Sequence, residues 1–361
     1  MRSIVGYKRL KEDMRTFLCT QCGTRVYFEN VQCLNCGHAL GFDAPAFAMS
    51  ALKPDPVPGI YRRVAGETRE TLAYCRNAVD GACNWLTPAD DAHAFCIACD
   101  LNRTIPNLSE PGNLAAWQEL ERAKKRLVYS LLRFGLPLDT SPAPPGRLTF
   151  DFGRNTLTGH LDGVITVNVI EANSVERERQ KQQFDEPYRS LLGHLRHESG
   201  HHYWHVLVEN GGRIEEFRAF FGDERADYNE ALNRHHTFGP KLDWKLNHVS
   251  AYASMHPWED WAETWAHYFH MVESVDTADA EGIQPRAAEL PLQKYDVYRE
   301  ETFDTLLERW VPLTLALNGM NRSMGYEDFY PFVIPDAARR KLRFVHDAIR
   351  STSSLSPSPS R

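Results

Sequence analysis

Residues 191–205 read LLGHLRHESGHHYWH, and this stretch decides the fold of the larger part of the chain. It contains an HExxH motif, His197-Glu198-Ser199-Gly200-His201. Residues four apart lie on one face of an α-helix, so a helical motif lets His197 and His201 grip one zinc ion while Glu198 points at a water on that ion. The motif therefore predicts a helix that carries a metal-dependent hydrolytic site.

The surrounding residues support a helix with two different sides. We expect it to begin near Asp185, with that residue as N-cap and Pro187 in the first turn, and to end at Gly211-Gly212. At about 100° per residue, one side of the helix is polar and the opposite side is apolar. A solvated amphipathic helix also has two sides, but four histidines along the polar one favour a bound metal. The polar side consists of His194, His197, Glu198, His201 and His205.

A catalytic zinc needs a third protein ligand. The chain lacks an HExxHxxGxxH extension, so we expect His205 beside the site or on the helix surface. The stretch HPWEDWAETWAH, residues 256–267, is a better source of the ligand. Pro257 predicts a helix start, which places Glu259 and Glu263 one turn apart on one face among three tryptophans. The alternative is a tryptophan-anchored helix whose acidic face is solvated.

The eight cysteines form two groups. In the first, Cys19-x2-Cys22 and Cys33-x2-Cys36 are each followed by glycine. A glycine there permits the tight turn that brings two thiolates to one zinc, so this group predicts a structural four-cysteine zinc site. In a reducing compartment, metal binding is also a better explanation for cysteines than disulfides.

The second group is less regular. It comprises Cys75-x7-Cys83 and Cys96-x2-Cys99, with Asp100 where the first group has glycine. We still predict a second structural zinc, because so small a segment lacks the core to fold unaided. His93 is an alternative ligand, or else a solvated loop histidine.

Composition limits the class of protein. The chain has 361 residues, 41 Lys+Arg against 48 Asp+Glu, a net charge of −7 and 42% hydrophobic residues. The acidic balance argues against nucleic acid as a partner. No run of about 18 apolar residues predicts a membrane helix, and residues 1–15 contain no apolar leader, so we expect a cytoplasmic protein. The sequence does not indicate an oligomeric state.

The two metal motifs together resemble the gluzincin metallopeptidases, in which HExxH is followed by a helical Glu-x3-Glu/Asp. The resemblance implies that His197, His201 and Glu259 hold a catalytic zinc and that Glu263 orients a ligand histidine, either His197 or His201. The tyrosine seven residues before the ligand glutamate is similar to that of the anthrax lethal factor type, which implies that Tyr252 stabilises the transition state. The whole layout, over residues 15–345, resembles a bacterial family that joins a zinc ribbon to a zinc-binding metallopeptidase domain.

This resemblance and the segment patterns define the expected organisation. The fold class is α+β, with N-terminal four-cysteine zinc-ribbon modules before a mainly helical zincin-like domain with a small β-sheet. We expect a helix over 113–134 and strands over 147–152 and 163–170, the last either a substrate-binding edge strand or an interior strand. Residues 43–59 are expected to form a linker. The predicted units are a zinc ribbon (1–42), a second four-cysteine segment (43–110), the metallopeptidase domain (111–345) and a disordered tail (346–361).

The function expected is hydrolysis of peptide bonds, with Glu198 as general base, one catalytic and two structural zinc ions, and a peptide or protein as substrate. Two alternatives stay open: a DNA-associated zinc protease, and a ribbon adaptor whose zincin-like domain is inactive. The segment 215–228 between the metal motifs is expected to shape the pocket or a lid.

Overall fold

A computed structural model describes residues 16–65, 70–90, 95–154, 156–173, 177, 190–285 and 296–353. The N-terminal part is built from short antiparallel strands. Strands β1 (Thr16–Leu18) and β2 (Arg25–Tyr27) form a hairpin. A five-stranded sheet follows, with neighbouring strands in chain order. Its strands are β3 (Ala39–Asp43), β4 (Ala48–Pro54), β5 (Ile60–Arg63), β6 (Leu72–Tyr74) and β7 (Leu86–Pro88).

The predicted linker over 43–59 is wrong. Residues 48–54 of it form β4, which pairs with β3 on one side and β5 on the other. Its residues Met49 to Leu52 are buried. Of the prolines that suggested a linker, Pro45 lies in the turn before the strand, and the other three lie at its end and in the turn after it, where the missing amide does not interrupt a ladder.

The second sheet has four strands in the order β10-β11-β9-β8. Strand β11 lies between β10, to which it is antiparallel, and β9, to which it is parallel. The predicted strand over 163–170 is therefore an interior strand, and β10 forms the edge. The strands are β8 (Asn102–Thr104), β9 (Thr149–Gly153), β10 (Gly159–Leu161) and β11 (Val164–Asn168).

The C-terminal part is mainly helical, as the sequence predicts. Its first helix has the predicted bounds, and the proline at 257 begins the helix of the second metal motif. The helices with described bounds are α1 (Asn113–Phe134), α2 (Leu191–Trp204), α3 (Ile214–Phe221), α4 (Tyr228–Phe238), α5 (Trp244–Asn247), α6 (Pro257–Glu281), α7 (Phe303–Ser323) and α8 (Asp336–Ser353).

The HExxH helix, α2, begins later than predicted. Ser190 is its N-cap, and the Ser190 hydroxyl accepts a hydrogen bond from the Gly193 amide at 3.0 Å. The predicted start at Asp185 and Pro187 lies outside the described residues, but extended backbone at 190 separates that region from the helix. At its other end α2 continues as a π-helical turn, His205–Glu209, just before the glycine pair where an end was predicted.

Helices α2 and α6 pack against each other at the centre of this part of the fold. A Cβ atom on Gly200 would lie 3.0 Å from the Cα of Ala262, so the contact requires glycine. Two tryptophans of α6 donate hydrogen bonds into α2, from Trp261 to the Gly200 carbonyl at 2.7 Å and from Trp265 to the Ser199 hydroxyl at 3.1 Å. The contact fixes α6 against the histidines of α2.

Helix α1 joins the ribbon part to this helix pair. Its Tyr129 packs with ring centroids 5.5 Å from Phe28 and 5.7 Å from Phe42, both from the ribbon part. At the other end, Phe134 lies 4.9 Å from Phe269 of α6. One continuous apolar core therefore includes both parts of the chain.

The tail is more ordered than predicted. Residues 346–353, expected to be disordered, form the last turns of α8. The side chains of Ala348 and Ile349 are fully buried, and Arg350 donates to the Val297 and Tyr298 carbonyls. Residues 354–361 lie outside the described part of the chain.

One buried histidine of α8 makes stability depend on pH. His346 Nε2 faces the Glu301 carbonyl at 3.2 Å, and Nδ1 faces the Tyr268 hydroxyl at 3.0 Å. Nε2–H donates to the carbonyl, so Nδ1 accepts from the tyrosine and the ring is neutral. Burial and the neighbouring Arg350 lower the pKa of His346 to about 4.

We predict that acid destabilises the wild type more than a His346→Gln variant. The histidine contribution is complete above the unfolded pKa of about 6.5 and declines by about 1.4 kcal/mol per pH unit as the pH falls towards 4, because the unfolded chain then binds a proton that the folded chain does not. Urea unfolding at about pH 7.5 and about pH 5 should show an extra loss of about 2 kcal/mol in wild type. Equal losses in the two proteins would contradict the prediction, and zinc loss at low pH affects both alike.

Candidate metal centre and its pocket

Three predicted ligands come together between α2 and α6. Glu259 Oε2 lies 2.9 Å from His197 Nε2 and 3.7 Å from His201 Nε2. Two donors bound to one tetrahedral zinc at about 2.1 Å are about 3.4 Å apart, so the observed spacing suits a shared zinc ion. All three side chains are buried. The alternative of a solvated acidic face on α6 is wrong, because Glu259 is only 3% exposed.

Glu263 lies behind His197. Its Oε1 is 2.7 Å from His197 Nδ1, and its Oε2 accepts a hydrogen bond from the Ser250 hydroxyl at 2.5 Å. A proton on Nδ1 leaves Nε2 free to bind a metal, so this pair selects the tautomer that a ligand histidine needs. Of the two histidines considered for Glu263, the structure therefore selects His197. Ser250 was not predicted, because a serine outside any motif gives no signal in the sequence.

Charge compensation within the site is strong even without a metal. Burial alone would lower the pKa of His197, but the hydrogen bonds to Glu259 and Glu263 raise that pKa well above its usual value. Burial would raise the pKa of Glu259, yet the charge of His201 and the hydrogen bond to His197 hold it well below its usual value. The donors thus form a closely coupled set of opposite charges.

A cavity of about 460 Å³ opens onto these donors. Glu198, the predicted base, lines it, as does Trp258, whose ring stacks on His201 at 5.0 Å. Gly159 and His160 of the edge strand β10 form one wall. Burial and three neighbouring histidines lower the pKa of His160 to about 2, so its ring is neutral.

Two tyrosines line the pocket. Tyr252, predicted from the sequence, lies with its ring centroid 6.0 Å from that of His197, and burial raises its pKa. Tyr228 was not predicted as a site residue, although it ends the segment expected to shape a pocket. Its hydroxyl donates to Glu259 Oε1 at 3.0 Å, and Glu224 of the same segment also lines the cavity.

The remaining histidines near α2 lie apart from the three donors. His205 Nδ1 is 2.6 Å from the carboxylate of Glu209, so His205 pairs at the surface of the helix, as expected. His194 Nδ1 is 2.6 Å from Glu171. Neither residue is part of the cluster of possible metal ligands found in the described chain.

The first four cysteines converge as predicted. The Sγ atoms of Cys19 and Cys36 are 3.7 Å apart, and those of Cys22 and Cys33 are 3.6 Å apart. Thiolates bound at about 2.3 Å to a tetrahedral zinc are about 3.8 Å apart, which matches these distances. Side-chain hydrogen bonds from Asn35 and Thr24 lower the pKa of the Cys22 thiol to about 5. Both glycines after the pairs have positive φ, 69° and 73°, as the predicted turns require.

The second group also converges, although its turns differ. The Sγ atoms of Cys83 and Cys96 are 3.7 Å apart, and all four thiols are buried within 4.8 Å of one another. Asp100 can take the place of glycine because it lies in a 3₁₀ turn, Cys99–Leu101, without the positive φ of Gly23 and Gly37. Its amide still bonds the Cys96 carbonyl at 2.9 Å. The alternative ligand His93 lies outside the described residues.

The second group lies against buried charges of α1. Glu121 Oε2 is 3.6 Å from Cys99 Sγ, and Glu121 Oε1 accepts from Lys124 Nζ at 2.8 Å. Lys125 Nζ donates to the Ala82 carbonyl, next to Cys83. Burial would lower the pKa of Lys124, but the charges of Glu121 and Cys99 raise it. These cations suit a site that carries the negative charge of four thiolates.

A helix pair with a buried His-His-Glu donor set in a cleft, preceded by four-cysteine clusters, defines the class of zinc-binding metallopeptidases with a zinc ribbon. The chain belongs to this family. A family profile described as "Putative zinc-binding metallo-peptidase" matches residues 113–348, and a zinc-ribbon profile matches residues 16–110.

Comparison with curated proteins gives relatives over nearly the whole chain. An uncharacterized protein of Mycobacterium tuberculosis is 39% identical over 342 residues, which is 93% of this chain and 95% of the relative. An uncharacterized protein of Mycobacterium bovis has the same identity and coverage. No solved structure shows significant similarity. No helix among the described residues is long and apolar enough to span a membrane.

Proposed function

We propose that the protein is a gluzincin-type zinc peptidase, with His197, His201 and Glu259 as ligands of a catalytic zinc. The observation that carries the proposal is the convergence of these three donors at a cavity that Glu198 also lines. Burial of the donors supports a role in binding an ion, because buried charged groups require a partner. The donor set of two imidazoles and one carboxylate is typical of catalytic zinc sites.

The chemistry needs few residues. A zinc ion held by this set would lower the pKa of a water towards about 7 and polarise a scissile carbonyl. Glu198 accepts the proton of the attacking water at its carboxylate and then donates it to the leaving amine. Glu263 keeps the proton of His197 on Nδ1, so that the ring presents Nε2 to the pocket. The Tyr252 hydroxyl donates a hydrogen bond to the oxyanion of the substrate.

The pocket wall suggests how a peptide binds. Strand β10 is the edge of its sheet, and its Gly159 and His160 line the cavity. An extended substrate can add to this edge by main-chain hydrogen bonds. In the described part of the chain no lysine or arginine lines the cavity, so a free C-terminal carboxylate lacks a cationic partner there. We therefore propose cleavage at internal or N-terminal positions of a peptide or protein.

Three zinc ions per chain complete the proposal, one catalytic and two structural at the four-cysteine sites. Zinc content by elemental mass spectrometry should be about three for wild type and about two for Glu259→Ala, because loss of one of three ligands releases a catalytic zinc. An exposed acid in the π-helical turn that continues α2 provides the control, and Glu209→Gln should retain about three. A value of three in Glu259→Ala would place the third ligand elsewhere, and a value of two in wild type would favour the inactive adaptor.

The general base has its own test. Glu198→Gln should retain about three zinc ions but lose peptide hydrolysis, by at least about 100-fold, because the amide cannot accept the proton. Cleavage can be followed on a peptide library by mass spectrometry of new termini, with Glu209→Gln as the active control. A Glu198→Gln variant as active as wild type would exclude Glu198 as the base.

The role of Tyr252 is tested by removing one hydroxyl. Tyr252→Phe should lower turnover by about 10²–10³-fold at unchanged zinc content, as expected when one oxyanion donor is lost. The same library and zinc measurements apply. Turnover equal to that of wild type would exclude Tyr252 from the mechanism. The assignment of the metal ligands would not change.

A further inference from the structure

The segment 222–248 lies in the sequence between α2 and α6, and most of its residues are outside the core. It contains α4, none of whose residues is buried. The base of this segment is nevertheless fixed to the start of α6, because His256 Nε2 lies 2.9 Å from the Ala226 carbonyl. The Asp227 side chain then caps α4 by accepting from the Glu230 amide at 2.9 Å. This anchoring brings Tyr228, the first residue of α4, to the pocket, although 38% of the residue remains exposed.

Tyr228 contacts one carboxylate oxygen of Glu259, and the other oxygen faces the histidines of α2. The Tyr228 hydroxyl donates to Oε1 at 3.0 Å, whereas Oε2 faces the nitrogens of His197 and His201. The two oxygens of one carboxylate thus have different partners. The hydrogen bond from Tyr228 thus favours the orientation of the carboxylate in which Oε1 faces the tyrosine and Oε2 faces the two histidines.

We propose that Tyr228 is a positioning residue of the metal centre, whose hydroxyl holds Glu259 so that Oε2 alone is presented to the ion. The inference rests on the proposed metal site of His197, His201 and Glu259, and it concerns retention of the metal. Hydrogen bonds to ligand side chains typically change metal affinity by about 10–100-fold. The residue comes from a surface helix, so retention of the ion depends on a segment that is itself outside the core.

The test measures zinc affinity rather than cleavage. Zinc-loaded full-length protein is titrated with a chelator, and the ion at the His-Glu site is followed separately from those at the eight cysteines. Tyr228→Phe should weaken the His-Glu site by about 10–100-fold. Zinc at the cysteine sites should be unchanged, which provides a reference within the same molecule. An unchanged melting temperature with saturating zinc confirms that the variant folds.

Two further variants separate a specific role from a general disturbance. Tyr326→Phe removes an exposed tyrosine hydroxyl outside the pocket and should change the affinity less than about two-fold. In a Glu259→Gln background, adding Tyr228→Phe should have little further effect, because the hydroxyl acts through Glu259. Equal weakening by the two tyrosine variants would overturn the assignment.

The inference and the proposed function can fail separately. If Glu259→Ala releases one zinc but Tyr228→Phe retains wild-type affinity, the metal site stands and Tyr228 has no positioning role. If Glu259→Ala retains all the zinc, the proposed ligand set is wrong, and the inference about Tyr228 falls with it.

Discussion

Helices α2 and α6 approach so closely at Gly200 that the geometry of the whole site follows from this contact. A methyl group at Gly200 would meet the backbone of Ala262, and the ring of Trp265 lies just beyond it. With the two backbones at this distance, Glu259 of α6 reaches both His197 and His201 of α2. The glycine inside the HExxH motif is therefore a packing residue, and the motif specifies both the donors and the distance between their helices.

Close packing of this kind buries charges that the fold has to compensate. Arg196, next to His197, pairs with Glu273 of α6, and both side chains are buried. Asp260, next to Glu259, accepts from Lys341 of α8 at 2.6 Å. Removing one member of such a pair leaves an uncompensated buried charge, which is strongly destabilising. Two of the three proposed ligands, His197 and Glu259, thus lie next to a residue whose buried ion pair holds the helix in place.

The sequence predicts what depends on local spacing. The bounds of α1, the helix start at Pro257 and the two four-cysteine clusters all follow from patterns within one segment. The start of α2 was wrong because Asp185 and Ser190 both suit an N-cap, and only the hydrogen bond to Gly193 distinguishes them. The linker was wrong because proline and alanine content does not reveal that Met49 to Leu52 are buried by strands on both sides.

Contacts between distant segments could not be predicted from the sequence, for a physical reason. Tyr228 is 31 residues from Glu259, and Ser250 is 13 residues from Glu263, so neither pair lies on one helix face. Their partners are selected by the path of the chain over 222–256. Spacing rules act within a helix or a turn, whereas this path is set by the base of α4 bonding to His256.

The ribbon part and the helical metallopeptidase-family part share one structural element, namely α1. Near its middle, Glu121 and Lys124 lie against the second cysteine cluster. Nearer its end, Ser130 donates to Glu273, the partner of Arg196 beside the HExxH motif. The side chains of α1 that make these contacts are buried. A shift of α1 at the cysteine cluster would therefore disturb the ion pair next to His197. The second four-cysteine cluster therefore supports the helix that carries His197, and it is part of the scaffold of the donor set rather than a separate appendage.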